Sequence, residues 1–147
     1  MSKRVLWLDN DPKYINVYAS YLKDQPTPYE VTVVPTLTEA EKKLAEGTYD
    51  LLILDVMIPT KNAQEETTYP PEQTEHGLNT GLAFFVRHKE ELEQAGTKVL
   101  VSTARIDLAI QEGFTRAGLP QAHMMTKPGL EGVQDFFEIV QDVLKEE

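Results

Sequence analysis

An unbroken run of four large aliphatic residues, Leu51 to Leu54, constrains the fold more than any other stretch of the sequence. The run shows no polar alternation, which is typical of a strand buried on both faces in a parallel sheet covered by helices. Asp55 follows directly, and Ile58 and Pro59 prevent further regular pairing. Ligands bind at the carboxyl edge of open parallel sheets, so Asp55 is a candidate site residue. Taken alone, this carboxylate fits a simple turn or helix cap equally well.

Four other apolar runs alternate with amphipathic helical patterns along the chain. The predicted strands span residues 5–8, 29–34, 51–54, 97–104 and 121–126, and the predicted helices span residues 12–25, 36–46, 80–95, 106–117 and 133–144. Five strand–helix units in strict alternation predict an α/β fold with one doubly wound parallel sheet and right-handed crossovers. The expected strand order is 2-1-3-4-5 with five helices, which makes strands 1 and 3 neighbours.

Residues 60–79 interrupt this alternation because they are polar, aperiodic and broken by Pro70 and Pro71. They are predicted to be a long loop inserted between strand 3 and helix 3, and loops of this length are usually functional or disordered. A lid over the sheet edge, a partner-docking element and an inert insertion all remain open. His76 in this loop is either a ligand or base or, more simply, a solvated side chain.

The charge and composition exclude several classes of protein. Asp and Glu number 24 against 14 Lys and Arg, a formal charge of −10, which argues against binding to nucleic acid or to an anionic membrane surface. The absence of cysteine excludes disulfides, thiolate metal sites and cysteine nucleophiles. No segment has the length of a signal-peptide core or a membrane span. We therefore expect a cytoplasmic, single domain over residues 1–147 with no output domain.

Polar side chains follow four of the five predicted strands. Asp9 and Asn10 follow strand 1, Asp55 follows strand 3, Thr103 ends strand 4 and Lys127 follows strand 5. The carboxyl ends of parallel strands share one edge, so these groups are expected to converge. Carboxylate and amide oxygens suit Mg²⁺, and an ammonium suits a phosphate. The set predicts a phosphoryl-transfer site in which an aspartate carboxylate can itself be the acceptor.

The sequence resembles the receiver domains of two-component response regulators over nearly its whole length. The matching motifs are Leu8-Asp9-Asn10-Asp11-Pro12, Leu54-Asp55-Val56-Met57-Ile58-Pro59, Ser102-Thr103-Ala104 and Lys127-Pro128. The resemblance implies a protein that is not a conventional enzyme but catalyses its own phosphorylation and dephosphorylation.

The resemblance also implies the roles of the acidic residues. Asp55 accepts the phosphoryl group from a phosphohistidine on a sensor histidine kinase or a histidine phosphotransfer protein. Asp9, Asn10 and Asp55, together with the backbone carbonyl of Met57, hold Mg²⁺. Position 10 departs from the family pattern, which usually has a second acid there, and the missing charge should weaken metal affinity.

The remaining implied roles concern the response to phosphorylation. Thr103 is the switch hydroxyl that turns toward the phosphoryl oxygens, and Lys127 pairs with them. A downstream protein is expected on the face of helix 4, strand 5 and helix 5, or the signal leaves through a homodimer. Met124 replaces the aromatic residue that the family usually has in this output face. Arg105 and Met57 are expected to tune the lifetime of the phosphoryl group.

Two other readings of the same residues stay open. A haloacid-dehalogenase-like phosphatase would use Asp9 as nucleophile and Asp11 as general acid, although it would leave the Asp55 motif unexplained. A receiver-like scaffold would bind partners without being phosphorylated, although its acceptor, hydroxyl and lysine positions are all filled.

Overall fold

The computed structural model describes residues 3–75, 77–104, 107–127 and 132–145. One parallel sheet has the strand order 2-1-3-4-5, as predicted. Its strands are β1 (Arg4–Leu8), β2 (Glu30–Val34), β3 (Leu51–Leu54), β4 (Lys98–Thr103) and β5 (Met124–Thr126).

The helices of the described ranges number seven rather than the five expected, because the insertion contains two of them. They are α1 (Pro12–Lys23), α2 (Leu37–Glu46), α3 (Ala63–Thr68), α4 (Pro71–Thr74), α5 (Thr80–Ala95), α6 (Leu108–Arg116) and α7 (Val133–Lys145). None of the helices in these parts of the chain is long and apolar enough to cross a membrane.

The fifth strand is shorter than predicted. Only Met124–Thr126 pair with β4, and Gln121–His123 form a 3-10 turn instead. The turn closes through the His123 N–H, which donates to the Pro120 carbonyl at 2.9 Å, and the buried His123 ring contacts the Val99 carbonyl at 3.1 Å. The imidazole thus provides a hydrogen-bond partner for the Val99 carbonyl inside the protein.

The unbroken aliphatic run of β3 is explained by two cores, one on each face of the sheet. Leu52 and Leu54 belong to the core under α2, α5 and α6, whereas Leu51 and Ile53 belong to the core under α1 and α7. All four side chains are fully buried. Successive strand residues point to opposite faces, so a strand covered on both sides requires an apolar residue at every position.

The insertion is folded rather than structureless, which corrects the expectation of a long loop at residues 60–79. Tyr69 is 2% exposed, stacks on Phe84 of α5 at a centroid distance of 6.3 Å and donates a 2.8 Å hydrogen bond to Glu41 of α2. The same Glu41 carboxylate lies 2.8 Å from the ring of the buried His88. These contacts attach the insertion to α2 and α5 as part of the first core.

We predict that Tyr69→Ala lowers the free energy of unfolding by about 3–5 kcal/mol, the usual cost of truncating a buried aromatic residue. Gln64→Ala, at an exposed position of the same insertion, should change it by no more than about 0.5 kcal/mol. Urea unfolding followed by circular dichroism measures both. A loss below about 1 kcal/mol for Tyr69→Ala would mean that the insertion is not part of the core.

Candidate functional site

The neighbouring strands β1 and β3 bring two acidic residues together at the carboxyl edge of the sheet. Leu8 pairs with Leu54, so Asp9 and Asp55 are the next residues on adjacent strands. The Asp55 N–H donates to the Leu8 carbonyl at 3.0 Å, and the Asp9 N–H donates to the Val34 carbonyl at 3.1 Å. Asp9 is fully buried and Asp55 is 3% exposed. Two carboxylates in this position require a positive charge between them.

Lys127 supplies that charge from the far side of β4. Its Nζ lies 2.9 Å from Asp9 Oδ2 and 3.5 Å from Asp55 Oδ2, and its side chain is 15% exposed. The Lys127 backbone N–H donates to the Thr103 carbonyl at 2.8 Å, which fixes the residue at the end of β5. Asp9, Asp55 and Lys127 together form what we call the acid pocket.

The second oxygen of each carboxylate is held by the backbone. Asp9 Oδ1 accepts a 2.9 Å hydrogen bond from the Asp11 N–H, and Asp55 Oδ1 accepts a 2.8 Å hydrogen bond from the Val56 N–H. The Oδ2 atoms of both residues therefore face the same ammonium. This arrangement positions both carboxylates without using the oxygens that face the pocket.

The pKa values of Asp9 and Lys127 are shifted by burial and by the charges within the acid pocket. Burial raises the pKa of the Asp9 carboxyl above its usual value; the hydrogen bond from Lys127 opposes this and the charge of Asp55 adds to it. Burial alone would lower the pKa of Lys127, but the hydrogen bond to Asp9 and the charge of Asp55 raise it overall. The lysine thus stays protonated, and with both carboxylates ionised the acid pocket has a formal charge of −1, which favours a further cation.

The other predicted site residues in the described ranges also follow or end strands of the sheet, but they differ in burial. Thr103 is fully buried at the end of β4, where it pairs with Thr126 and bonds Lys127 through the backbone. Asn10 is exposed after Asp9, and Met57 is half-buried in the loop after Asp55. Arg105 and His76 lie outside the described residues.

The donors at this edge fit Mg²⁺ better than a softer metal. Among the described residues, no cluster of three His, Cys, Asp or Glu side chains could hold a metal ion. The carboxylates of Asp9 and Asp55 at this edge are hard oxygen donors. Mg²⁺ commonly binds to one or two carboxylates and keeps several waters, so this small donor set is adequate.

Gly81 of α5 is a site residue that the sequence analysis missed. Its N–H donates to the Val56 carbonyl at 2.8 Å, so the first turn of α5 rests directly on the backbone after β3. A Cβ on Gly81 would lie 2.1 Å from the Asp55 carbonyl oxygen and 2.7 Å from the Val56 Cα. Only glycine permits this approach. The single sequence signal was a glycine at the second position of a predicted helix, where it lowers helix propensity.

Gly81→Ala should therefore destabilise the protein by about 1–3 kcal/mol and displace Asp55, because the new methyl group meets backbone atoms that cannot rotate away. Gly113→Ala is the matched control: its Cβ would meet the Cδ2 atom of Leu82, the end of a flexible side chain. We expect Gly113→Ala to leave the free energy of unfolding nearly unchanged. The cost of moving the Leu82 side chain is offset by the gain of about 1 kcal/mol in helix propensity. Chemical unfolding of both variants tests this, and equal stability of the two would contradict the close approach of α5 to the site.

Comparisons with known proteins agree on the fold. The response regulator receiver domain protein (CheY-like) from Methanospirillum hungatei JF-1 superposes with a TM-score of 0.72 and 20% identity, covering 98% of this chain and 94% of that one. A response regulator from Thermotoga maritima gives a TM-score of 0.73 and 19% identity, covering 99% of this chain and 100% of that one. No protein-family model matches the sequence.

One curated relative also matches part of the sequence. The regulatory protein VanRB of Enterococcus faecalis (strain ATCC 700802 / V583) is 37% identical over 65 residues. That match covers 44% of this chain and only 29% of VanRB. The match is therefore local, and this chain spans less than a third of that relative's length. The chain has the flavodoxin-like fold of response regulator receiver domains.

Proposed function

We propose that this protein is a phosphoacceptor receiver domain of a two-component or phosphorelay system, and that Asp55 carries the phosphoryl group. The observation that supports the proposal most is the acid pocket: two buried carboxylates share the Lys127 ammonium at the carboxyl edge of a receiver-type sheet. Of the two acids, Asp55 is the one that keeps slight exposure and lies farther from the ammonium. It is therefore the better placed to meet an incoming group.

In the proposed reaction, an oxygen of the Asp55 carboxylate donates an electron pair to the phosphorus of a phosphohistidine. The new O–P bond forms as the P–N bond breaks, and the P–N electron pair returns to the imidazole nitrogen of the donor. Lys127 neutralises charge on the phosphoryl oxygens, which is the main requirement in phosphoryl transfer. Hydrolysis of the resulting acyl phosphate by water regenerates Asp55 and releases inorganic phosphate.

Asp9, Asn10, Asp55 and the Met57 carbonyl are the groups that would hold Mg²⁺. When bound, the ion supplies charge neutralisation at the phosphoryl oxygens. Because Asn10 carries no charge, two carboxylates and one ammonium leave a formal charge of −1 before the cation binds. We expect Mg²⁺ affinity to be correspondingly modest.

The conformational response is assigned to Thr103 and Lys127. Thr103 ends β4 and Lys127 follows β5, and the Lys127 N–H donates to the Thr103 carbonyl. A change from mostly inactive to mostly active needs on the order of 3–5 kcal/mol of differential interaction. Hydrogen bonds to a charged phosphoryl group, at about 1.5–3 kcal/mol each, are of this size.

We propose two kinds of protein partner. A sensor histidine kinase or histidine phosphotransfer protein donates the phosphoryl group, and the face of α6, β5 and α7 reads it out to a target protein or a second copy of this chain. Met124 in β5 is half-buried and unbranched, so the switch in this face would lack the usual aromatic ring. We place the protein in the cytoplasm, where such kinases present their phosphohistidine.

Substitution of each aspartate tests the assignment of Asp55. With Mg²⁺ and acetyl phosphate, the wild-type protein should gain the mass of one phosphoryl group. Asp55→Asn should gain none, because an amide oxygen is a poor nucleophile. Asp9→Asn should still be labelled, more slowly, because it loses a metal ligand and the carboxylate partner of Lys127 but keeps the acceptor. Intact-mass spectrometry measures all three.

The same experiment separates the alternatives. Labelling blocked only by Asp9→Asn would favour a phosphatase that uses Asp9 as nucleophile. No mass gain in the wild-type protein would favour a scaffold that is never phosphorylated. Either result would overturn the proposal.

A further inference from the structure

The insertion contains a buried carboxylate, Glu65 of α3, which is 3% exposed. Glu65 Oε1 accepts a 2.8 Å hydrogen bond from the Lys61 N–H. Glu65 Oε2 accepts from both the backbone N–H and the hydroxyl of Thr38, at 2.9 and 2.5 Å. Both oxygens are thus committed to donors outside α3. A charged group buried in this way must serve a specific contact, because its desolvation is costly.

The donors of Glu65 belong to two elements that are distant in sequence. Thr38 is in the first turn of α2, and Lys61 ends the segment that follows Asp55. We call residues 55–61 the acceptor loop. The loop carries Asp55 at its start and the Met57 carbonyl in its middle, and Glu65 joins its end to α2.

The start and middle of the acceptor loop are held by the segment around α4 and α5. The Gly81 N–H bonds the Val56 carbonyl at 2.8 Å. The Gly77 backbone lies against Pro59, since a Cβ on Gly77 would be 3.6 Å from the Pro59 Cα. Glu65 is therefore the anchor that fixes the remaining free end of the loop, beyond Pro59.

We propose that Glu65 is a positioning residue for the acid pocket, through which the folded insertion and the acceptor loop are coupled. The inference rests on the proposed function, because it takes the loop's Met57 carbonyl and Asp55 carboxylate to be Mg²⁺ ligands. Coupling between two sites is reciprocal. If Glu65 improves Mg²⁺ binding, then Mg²⁺ binding stabilises the docked state of α3 by the same free energy.

The contact depends on the carboxylate and not on the size of the side chain. A glutamine at position 65 offers one acceptor oxygen and one NH₂ group. In either orientation the NH₂ group meets a backbone N–H donor, of Lys61 or of Thr38.

Burial alone would raise the pKa of the Glu65 carboxyl, but the hydrogen bonds from Thr38 and Lys61 lower it overall, so the group is ionised near neutral pH.

The first test is a calorimetric titration of the full chain with MgCl₂. Glu65→Gln should raise the Kd for Mg²⁺ by about tenfold, within the range found for groups that orient metal ligands. Glu66→Gln removes the same charge from the next residue, which is exposed, so its Kd should stay within about twofold of the wild type. Saturating Mg²⁺ should restore the labelling rate of Glu65→Gln, because only the affinity is impaired.

The second test reads the coupling in the opposite direction by hydrogen exchange. MgCl₂ should slow exchange of the Lys61 and α3 amides in the wild type and in Glu66→Gln, but not in Glu65→Gln. If Glu65→Gln does not fold, Thr38→Val replaces it. This change removes the hydroxyl donor and keeps the N–H, so the Kd should rise, but by less than in Glu65→Gln.

The outcomes distinguish this inference from the proposed function. A wild-type protein that binds no Mg²⁺ would overturn both. A wild-type protein that binds Mg²⁺, with the same Kd in Glu65→Gln and a lower unfolding free energy in that variant, would show that Glu65 is only structural. The proposed function would survive that second result.

Discussion

The fold depends on how two buried carboxylates are neutralised at the edge of the sheet. Asp9 and Asp55 follow the adjacent strands β1 and β3. Lys127 follows β5, and β4 lies between β5 and β3. The ammonium reaches both carboxylates only when β1, β3, β4 and β5 are in order and Thr103 holds the lysine backbone. Removing the lysine would leave two buried carboxylates without a compensating charge. The geometry of this site therefore depends on the correct arrangement of the strands that carry it.

The insertion changes how this edge is supported. In a compact doubly wound domain, the loop after a strand is usually short. Here the loop after β3 continues into two short helices that return to the core through Tyr69 and contact the acceptor loop through Glu65. Helices of six and four residues are not stable alone, so tertiary contacts hold them. The insertion is therefore a structural part of the site's surroundings, whatever else it binds.

The strand ends could be predicted from the sequence, whereas the fold of the insertion could not. The difference is whether burial leaves a signal in the neighbouring residues of the sequence. Burial of the strands leaves a local signal: β3 is apolar at every position because helices cover both faces. Glu65 and Tyr69 leave none, because their burial comes from Thr38, Glu41 and Phe84, which are distant in sequence. The need for glycine at position 81 also appears only when the backbone of Asp55 is in place. The functional roles of the site residues stay predictions: Asp9, Asn10, Asp55, Met57, Thr103 and Lys127.

The most direct test of the central claim identifies the phosphorylated residue in the unmodified protein. After incubation with acetyl phosphate and Mg²⁺, borohydride converts an aspartyl phosphate to homoserine, and peptide mass spectrometry locates it. We predict homoserine at position 55 and aspartate unchanged at position 9. Conversion at position 9, or no conversion anywhere, would contradict the account.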